Sequence, residues 1–98
     1  SLPNPQVRIQ IPVTVPLTED ITRIKKILSE ICDEAVGKRT DVIARTPRPT
    51  IYLMKMDKTG LIFQVTVYAS GFQYNSIILD YMNVQIVERF KREGISIV

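Results

Sequence analysis

Histidine and tryptophan are absent from the 98-residue sequence, and Cys32 is its only cysteine. Zinc sites and the nucleophile–base pairs of enzymes are built mostly from histidine and cysteine, so neither can be assembled here in its usual form. A lone cysteine cannot form a disulfide within the chain, which suits a reducing compartment. The sequence therefore favours a protein that is not an enzyme and that holds no metal or other cofactor.

Long apolar runs and glycine-rich loops are also missing. Runs such as Leu61 to Phe63 and Ile77 to Leu79 are far shorter than the roughly 20 residues that a bilayer-spanning helix needs. The 4 glycines are scattered, so no glycine-rich loop is available to bind a phosphate. A net charge of +3 is too mild an excess to indicate nucleic-acid binding by itself.

The composition that remains is typical of one small globular domain. Hydrophobic residues make up 45% of the chain and charged residues 23%. We expect residues 7–98 to form a single domain with one core, and residues 1–6 to be a disordered linker or to include residues added by cloning. The sequence does not begin with methionine, so we expect a fragment cut from a longer chain.

The first third of the chain predicts a strand followed by a helix. Residues 7–15 alternate between apolar and polar, and Pro12 within them indicates an edge strand or a bulge. Thr18 is the predicted N-cap, with acidic residues in the first turn of the helix. Gly37 is the predicted end of this helix. Its apolar stripe comprises Ile21, Ile24, Leu28, Ile31, Cys32 and Ala35.

A β-hairpin is predicted in the middle of the chain, after a basic loop at residues 38–48. Its strands are residues 50–56 and 61–70, joined by a turn that ends at Gly60. Pairing Met56 with Leu61 would assign alternate residues to opposite faces of the sheet. One predicted face holds Tyr52, Met54, Met56, Leu61, Phe63 and Val65, and the other holds Ile51, Leu53, Ile62, Gln64, Thr66 and Tyr68.

The last third predicts a helix from near Phe72 to Glu93 that ends at Gly94, followed by a strand at residues 95–98. This helix has two apolar stripes on nearly opposite sides. One contains Ile78, Leu79, Met82, Ile86 and Phe90, and the other contains Tyr74, Ile77, Tyr81, Val84 and Val87. A helix that packs on one side of a sheet needs a single stripe, so the second predicts contact with something else.

The predicted order of elements is β-α-β-β-α-β. With right-handed crossovers this order gives an α+β, ferredoxin-like sandwich with two helices on one face of a four-stranded antiparallel sheet. The fold supports many functions and selects none of them.

Three segments together resemble the cytoplasmic domains of small-conductance mechanosensitive channels, over about Val7 to Ile97. They are the strand end and acidic helix start Val15-Pro16-Leu17-Thr18-Glu19-Asp20-Ile21, the pair of prolines in Pro47-Arg48-Pro49, and the helix end Phe90-Lys91-Arg92-Glu93-Gly94-Ile95. The order and spacing of the three segments match this family.

The resemblance implies a domain of a cell-membrane channel that faces the cytoplasm, below a tension-gated pore. Its partners would be identical subunits in a heptamer-like homo-oligomer, the transmembrane part would lie outside this chain, and no reaction would be catalysed. We expect the surplus apolar residues to contact neighbouring protomers. The candidate interface residues are Ile77, Tyr81 and Val84 on the second helix, or Ile51, Leu53, Ile62 and Tyr68 on the sheet.

Other proteins with this fold remain alternatives. The regulatory, dimerising domain of a cation-diffusion transporter usually carries histidine ligands, which this chain lacks. An acylphosphatase-like hydrolase needs an anion-binding loop after the first strand, where Pro16-Leu17-Thr18 has neither glycine nor arginine. A nucleic-acid-binding module needs exposed aromatic residues on its central strands, where Tyr68 is a weak stacking platform.

Overall fold

The computed structural model describes residues 6–98, so most of the predicted linker at residues 1–6 lies outside the described residues. The elements in chain order are β1 (Val7–Val15), α1 (Ile21–Lys38), β2 (Thr50–Asp57), β3 (Gly60–Ala69), a short 3-10 helix (Phe72–Tyr74) and α2 (Asn75–Glu93). The fold is α+β, as predicted, with two α-helices and a three-stranded antiparallel sheet in the order β1-β3-β2.

The hydrophobic core lies between one face of the sheet and the two helices. The alternate residues of β1 and β3 that face the helices are almost completely buried, as are the inner stripes of α1 and α2 apart from Ile21, which is 40% exposed, and Leu79, which is half-buried. The largest of these side chains are Phe63 of β3 and Phe90 of α2. Burying a side chain of this kind contributes about 1.5–3 kcal/mol, so this single layer of contacts supplies most of the domain's stability.

Strand β1 lies at an edge of the described sheet, which explains why Pro12 is tolerated. The carbonyl of Thr14 accepts a hydrogen bond from the Val98 amide at 3.0 Å, on the side of β1 away from β3. Backbone groups of an antiparallel strand alternate in direction, so the nitrogen of Pro12 also points away from β3. The missing N–H of Pro12 therefore removes no hydrogen bond between β1 and β3, and the prediction of an edge position is confirmed.

The predicted fourth strand is not observed among residues 6–98. The amide of Ile95 donates to the carbonyl of Phe90 at 2.9 Å and closes the end of α2, so it is unavailable for pairing with another strand. Only Val98 reaches β1, through the single hydrogen bond to Thr14. The residues that the structure describes therefore form a three-stranded sheet and not the predicted four-stranded, ferredoxin-like sheet.

The predicted pairing of Met56 with Leu61 is confirmed, but the register shifts between Leu53 and Lys55. Met54 is the extra residue of a β-bulge, and one extra residue moves every earlier side chain to the other face. The predicted faces of β2 before the bulge are therefore wrong. Ile51 and Leu53 pack against the core, whereas Tyr52 projects from the opposite face.

Helix α1 begins two residues later than predicted and ends one residue later. Its N-cap is Asp20, whose carboxylate accepts from the Arg23 amide at 3.1 Å, so Thr18 is not the cap. Residues 16–19 form a turn instead, in which the Glu19 amide donates to the Pro16 carbonyl at 3.1 Å. Gly37 does not adopt a positive φ, so it continues the helix rather than ending it.

Helix α2 ends as predicted. Gly94 has a φ of 70° and is its C-cap, in the left-handed region where glycine has no steric cost. The start differs in detail, because Phe72–Tyr74 form a 3-10 turn before the α-helix begins at Asn75. The inner stripe is confirmed, with Ile78, Met82, Ile86 and Phe90 buried and Leu79 half-buried.

Candidate interaction surfaces

Ile77 and Val84 of the second apolar stripe of α2 face away from the core, whereas the two tyrosines of that stripe pack against it. Ile77 is 48% exposed and Val84 is 47% exposed, and the two side chains lie two turns apart on the same side of the helix. We call Ile77, Tyr81 and Val84 the outward stripe. Asp80 and Glu88 flank it and have no ion-pair partner within residues 6–98. Lys91 is exposed on the same side, two turns after Val84, so the stripe presents apolar groups to solvent beside charges of both signs.

Tyr81 differs from its two neighbours because it has a partner within the chain. The guanidinium of Arg39 lies 5.0 Å from the centre of the Tyr81 ring, within range of a cation–π interaction. Arg39 also donates to both carboxylate oxygens of Asp41 at 3.1 Å, and this hydrogen bonding lowers the pKa of Asp41. These contacts join the loop after α1 to the outer side of α2.

The second exposed surface is the face of the sheet opposite the helices, which we call the outer sheet face. Tyr52 is 59% exposed and Met54 is 58% exposed at its β2 edge. The other described side chains that line it or share its register are those of Arg8, Gln10, Pro12, Thr14, Thr50, Lys55, Asp57, Ile62, Gln64, Thr66 and Tyr68. It combines apolar and hydroxyl groups with cations, and the carboxylate of Asp57 lies 3.6 Å from Lys55 at its β2 end.

The predicted sheet residues are divided between the two faces. Ile62 and Tyr68 lie on the outer sheet face, each about half-buried. Ile51 pairs with Val65 and Leu53 pairs with Phe63, so both lie on the core side and cannot belong to that surface. The bulge at Met54 is the physical reason, because it reverses the alternation of β2.

Tyr52 and Met54 are the exposed sheet residues that sequence reasoning assigned to the wrong face. A signal was present in the spacing of the polar side chains. Tyr52 and Lys55 are three residues apart, so a regular strand would place one of them against the core. An extra residue between them lets both reach solvent, as the structure has it.

A cluster of ion pairs joins the outer edges of the two helices. Arg89 donates to Glu30 of α1 at 2.6 Å and to Glu93 at 3.0 Å. Arg23 of α1 donates to the main-chain carbonyl of Glu93 at 2.9 Å. Hydrogen bonding from Arg89, and then from Arg23, lowers the pKa of the Glu93 carboxyl. The charges in this cluster compensate one another, so it acts as a link between helices rather than as an open binding site.

The only thiol of the chain is poorly placed for chemistry. Cys32 is buried on the inner side of α1, and burial, together with the nearby Asp33 carboxylate, raises its pKa to about 12. A thiol that stays protonated at neutral pH is a weak nucleophile. Within residues 6–98, histidine, cysteine and acidic side chains do not gather in groups of three that could hold a metal ion.

The helices themselves do not have the character of membrane spans. In the described part of the chain, neither helix combines the length and the apolar composition needed to cross a bilayer. Both carry charged residues on at least one side, including the ion pairs described above.

Comparison with known proteins identifies the family. No curated protein matches the chain. Residues 9–97, nearly the whole chain, match the family described as mechanosensitive ion channel MscS, C-terminal. This match covers β1 through α2 and the segment after Gly94. The chain therefore belongs to the family of C-terminal domains of MscS-like mechanosensitive channels.

Proposed function

We propose that this MscS-like channel domain faces the cytoplasm and packs against copies of itself to form the vestibule of a tension-gated pore. In this role the domain binds protein and catalyses no reaction. The observation that carries the proposal is the exposure of Ile77 and Val84 on the outward stripe of α2, since neither side chain packs against the core of the described domain.

The physical support is the cost of leaving such a stripe in water. Isolated exposed apolar residues are common on soluble proteins, but a row of them along one side of a helix marks a contact surface. Ile77 and Val84 are each about half exposed, and contact with another protomer would bury the remainder. At about 25 cal/mol per Å² of apolar area, such burial favours assembly.

We also propose that residues 95–98 begin a fourth strand beside β1, which would complete the ferredoxin-like order. The support is the hydrogen bond from the Val98 amide to the Thr14 carbonyl at 3.0 Å, on the free side of β1. Amide exchange measured by NMR tests this proposal. We expect the Val98 amide to exchange more slowly than that of Ile97, and equal rates would contradict a fourth strand.

The channel function is tested by recording currents from the full-length protein in liposomes while suction is applied to the membrane. We expect a conductance that opens as tension rises. Vesicles that contain correctly inserted protein and show no current at any tension short of rupture would contradict the proposal.

The position and assembly of the domain are tested on the same protein. A membrane-impermeant thiol reagent should label a Ser29→Cys variant, exposed on α1, only when the cytoplasmic side is accessible. Native Cys32 is a matched internal control, because its burial should prevent labelling from either side. Native mass spectrometry should give a closed homo-oligomer. Labelling from the outside, or a monomer, would contradict the corresponding part of the proposal.

A further inference from the structure

The two edges of the sheet differ in how far their backbone groups are free to bond. At the β1 edge the nitrogen of Pro12 has no hydrogen to donate, and the carbonyl of Thr14 already accepts from the Val98 amide at 3.0 Å. At the other edge, no strand of the described residues lies beyond β2. A strand edge without a partner is a template on which a strand of another chain can add. Unwanted pairing between copies would therefore begin at β2.

A hydrogen bond beside β2 shows which backbone groups of β3 point toward it. The carbonyl of Tyr68 accepts from the Ala44 amide at 2.8 Å, on the side of β3 that faces β2. Backbone groups alternate in direction along a strand, so those of Ile62, Gln64 and Thr66 point to β2 as well. These groups of β3 bond to β2 and leave the intervening groups of β2 on the open edge.

The outward backbone groups of β2 are unevenly spaced. Tyr52 and Lys55 pair with two of the β3 residues just described, so their own backbone groups point into the sheet. Those of Ile51, Leu53 and Met56 point outward, and none of the three is proline, so each amide can still donate. The interval is two residues from Ile51 to Leu53 but three from Leu53 to Met56, because the bulge inserts one extra residue between them.

The composition of β2 makes an open edge hazardous. Residues 50–54, Thr-Ile-Tyr-Leu-Met, are β-branched, aromatic or apolar and include no charge, glycine or proline. Segments of this kind readily form sheets between molecules when their edges are exposed. The next residue, Lys55, lies 3.6 Å from Asp57, which weakens the charge repulsion between two copies. Composition and charge therefore protect this edge poorly.

We propose that the bulge at Met54 is a conformational device that prevents β2 from pairing edge to edge with β2 of another copy. A straight partner strand presents its bonding groups at every second residue. It can bond at Ile51 and Leu53, but the longer interval to Met56 breaks the match, and a bulge also increases the local twist. This protection matters most where subunits are held at high local concentration.

Deletion of Met54 tests the device because it removes only the irregularity. Leu53 would then be followed directly by Lys55, and the other residues of β2 would keep their present partners and faces. The outward groups would lie two residues apart along the whole strand. The matched control is Met54→Ala, which keeps the extra residue. A further variant combines the deletion with Ile51→Pro, which removes one outward N–H and no hydrogen bond to β3.

The native chain and the three variants are incubated at neutral pH and followed by light scattering and by thioflavin T, a dye that reports stacked β-strands. We expect the native chain and Met54→Ala to stay soluble, and the deletion variant to lose its soluble fraction to aggregates that bind the dye. The deletion with Ile51→Pro should stay soluble. A deletion variant as soluble as the native chain, aggregation of Met54→Ala, or aggregates that do not bind the dye would each overturn the proposal.

The proline variant separates edge pairing from misfolding. If the deletion caused aggregation by unfolding the domain, Ile51→Pro would not restore solubility, and that result would also overturn the proposal. Amide exchange in the native chain is an independent check that needs no variant. The amides of Ile51 and Leu53 should exchange much faster than those of Tyr52 and Lys55. Equal protection would mean that another strand already covers this edge, so the bulge would not be preventing such pairing.

Discussion

The two helices of the domain have similar inner sides and different outer sides. On α1, the residues that face solvent are mainly charged, and several form ion pairs, such as Lys38 with Glu34 at 2.6 Å. On α2, the outer side carries Ile77 and Val84. Both helices pack on the same face of the sheet and have lengths of 18 and 19 residues, so the fold itself does not require this difference.

The comparison separates what the core needs from what the surface does. Each helix needs one apolar stripe to bury against the sheet, and each has it. Ile77 and Val84 of the extra stripe of α2 add nothing to the core, so they should matter little for folding and much for assembly. Substitutions on the two sides of the helices can test this separation.

The largest effects should come from the inner stripes. Phe90→Ala on α2 and Leu28→Ala on α1 each remove a side chain that is only 1% exposed. We expect the free energy of unfolding to fall by about 3–5 kcal/mol for Phe90→Ala and about 2–5 kcal/mol for Leu28→Ala, because each leaves a cavity. Urea denaturation of the chain measures both. A loss below about 1 kcal/mol at either position would show that its helix contributes little to the core.

Intermediate effects should come from the helix ends, which are built differently. Gly94→Ala forces a residue with a Cβ to keep a φ of 70°, although an added Cβ would meet no atom within 4 Å. We expect it to cost about 1 kcal/mol through the backbone alone.

Asp20→Ala removes the side-chain cap of α1 and should also cost about 1 kcal/mol. Thr18→Ala is its matched control, because Thr18 lies outside the helix and should change stability little. Thermal unfolding of the two variants would measure the difference. A larger loss of stability from Thr18→Ala than from Asp20→Ala would show that Thr18 is the N-cap, as the sequence predicted.

Small effects on stability should come from the outer sides. Val84→Ser on α2 and Lys25→Ser on α1 should each change the free energy of unfolding of the chain by less than about 0.5 kcal/mol. In the full-length protein only Val84→Ser should weaken assembly, which subunit cross-linking can measure. Equal effects of the two substitutions on assembly would show that the outer side of α2 contributes no more to assembly than the outer side of α1.

The smallest effect should be a pH dependence from the link between the helices. The pKa of Glu93 is lowered in the folded domain, so its ionised form stabilises the fold above its ordinary pKa of about 4.3. This contribution should be lost as pH falls through the lowered value. Glu93→Gln should therefore be less stable than the native chain near pH 6 and nearly equal to it at strongly acid pH. A stability difference that does not change with pH would contradict the role of the carboxylate.

Local patterns predicted most of the fold because they depend on neighbours in the sequence. The alternation of residues 7–15 predicted β1, and a glycine at position 94 predicted the end of α2. Residue spacing alone also showed the two stripes of α2, and it marked the outward stripe as a candidate surface. The family resemblance, based on three short segments, is confirmed by the match over residues 9–97.

Other features could not be read from local patterns. Thr18 and Asp20 are both good capping residues, and the turn at residues 16–19 decides between them. The final segment has strand-like composition, but its first amide, on Ile95, is used to end α2. The first turn of α1 could have been capped by either side chain, and the Ile95 amide could have bonded to α2 or to a neighbouring strand. Long-range packing selects one partner in each case.

The sequence by itself determined the order of the first five predicted elements, β-α-β-β-α, the inner apolar stripes and the family, because periodicity and local motifs are properties of adjacent residues. The tertiary structure decided which sheet residues reach solvent. The bulge at Met54 moved Ile51 and Leu53 into the core and brought Tyr52 to the outer sheet face. A bulge depends on how β2 pairs with β3 across the sheet, and one extra residue there reverses the faces of everything before it.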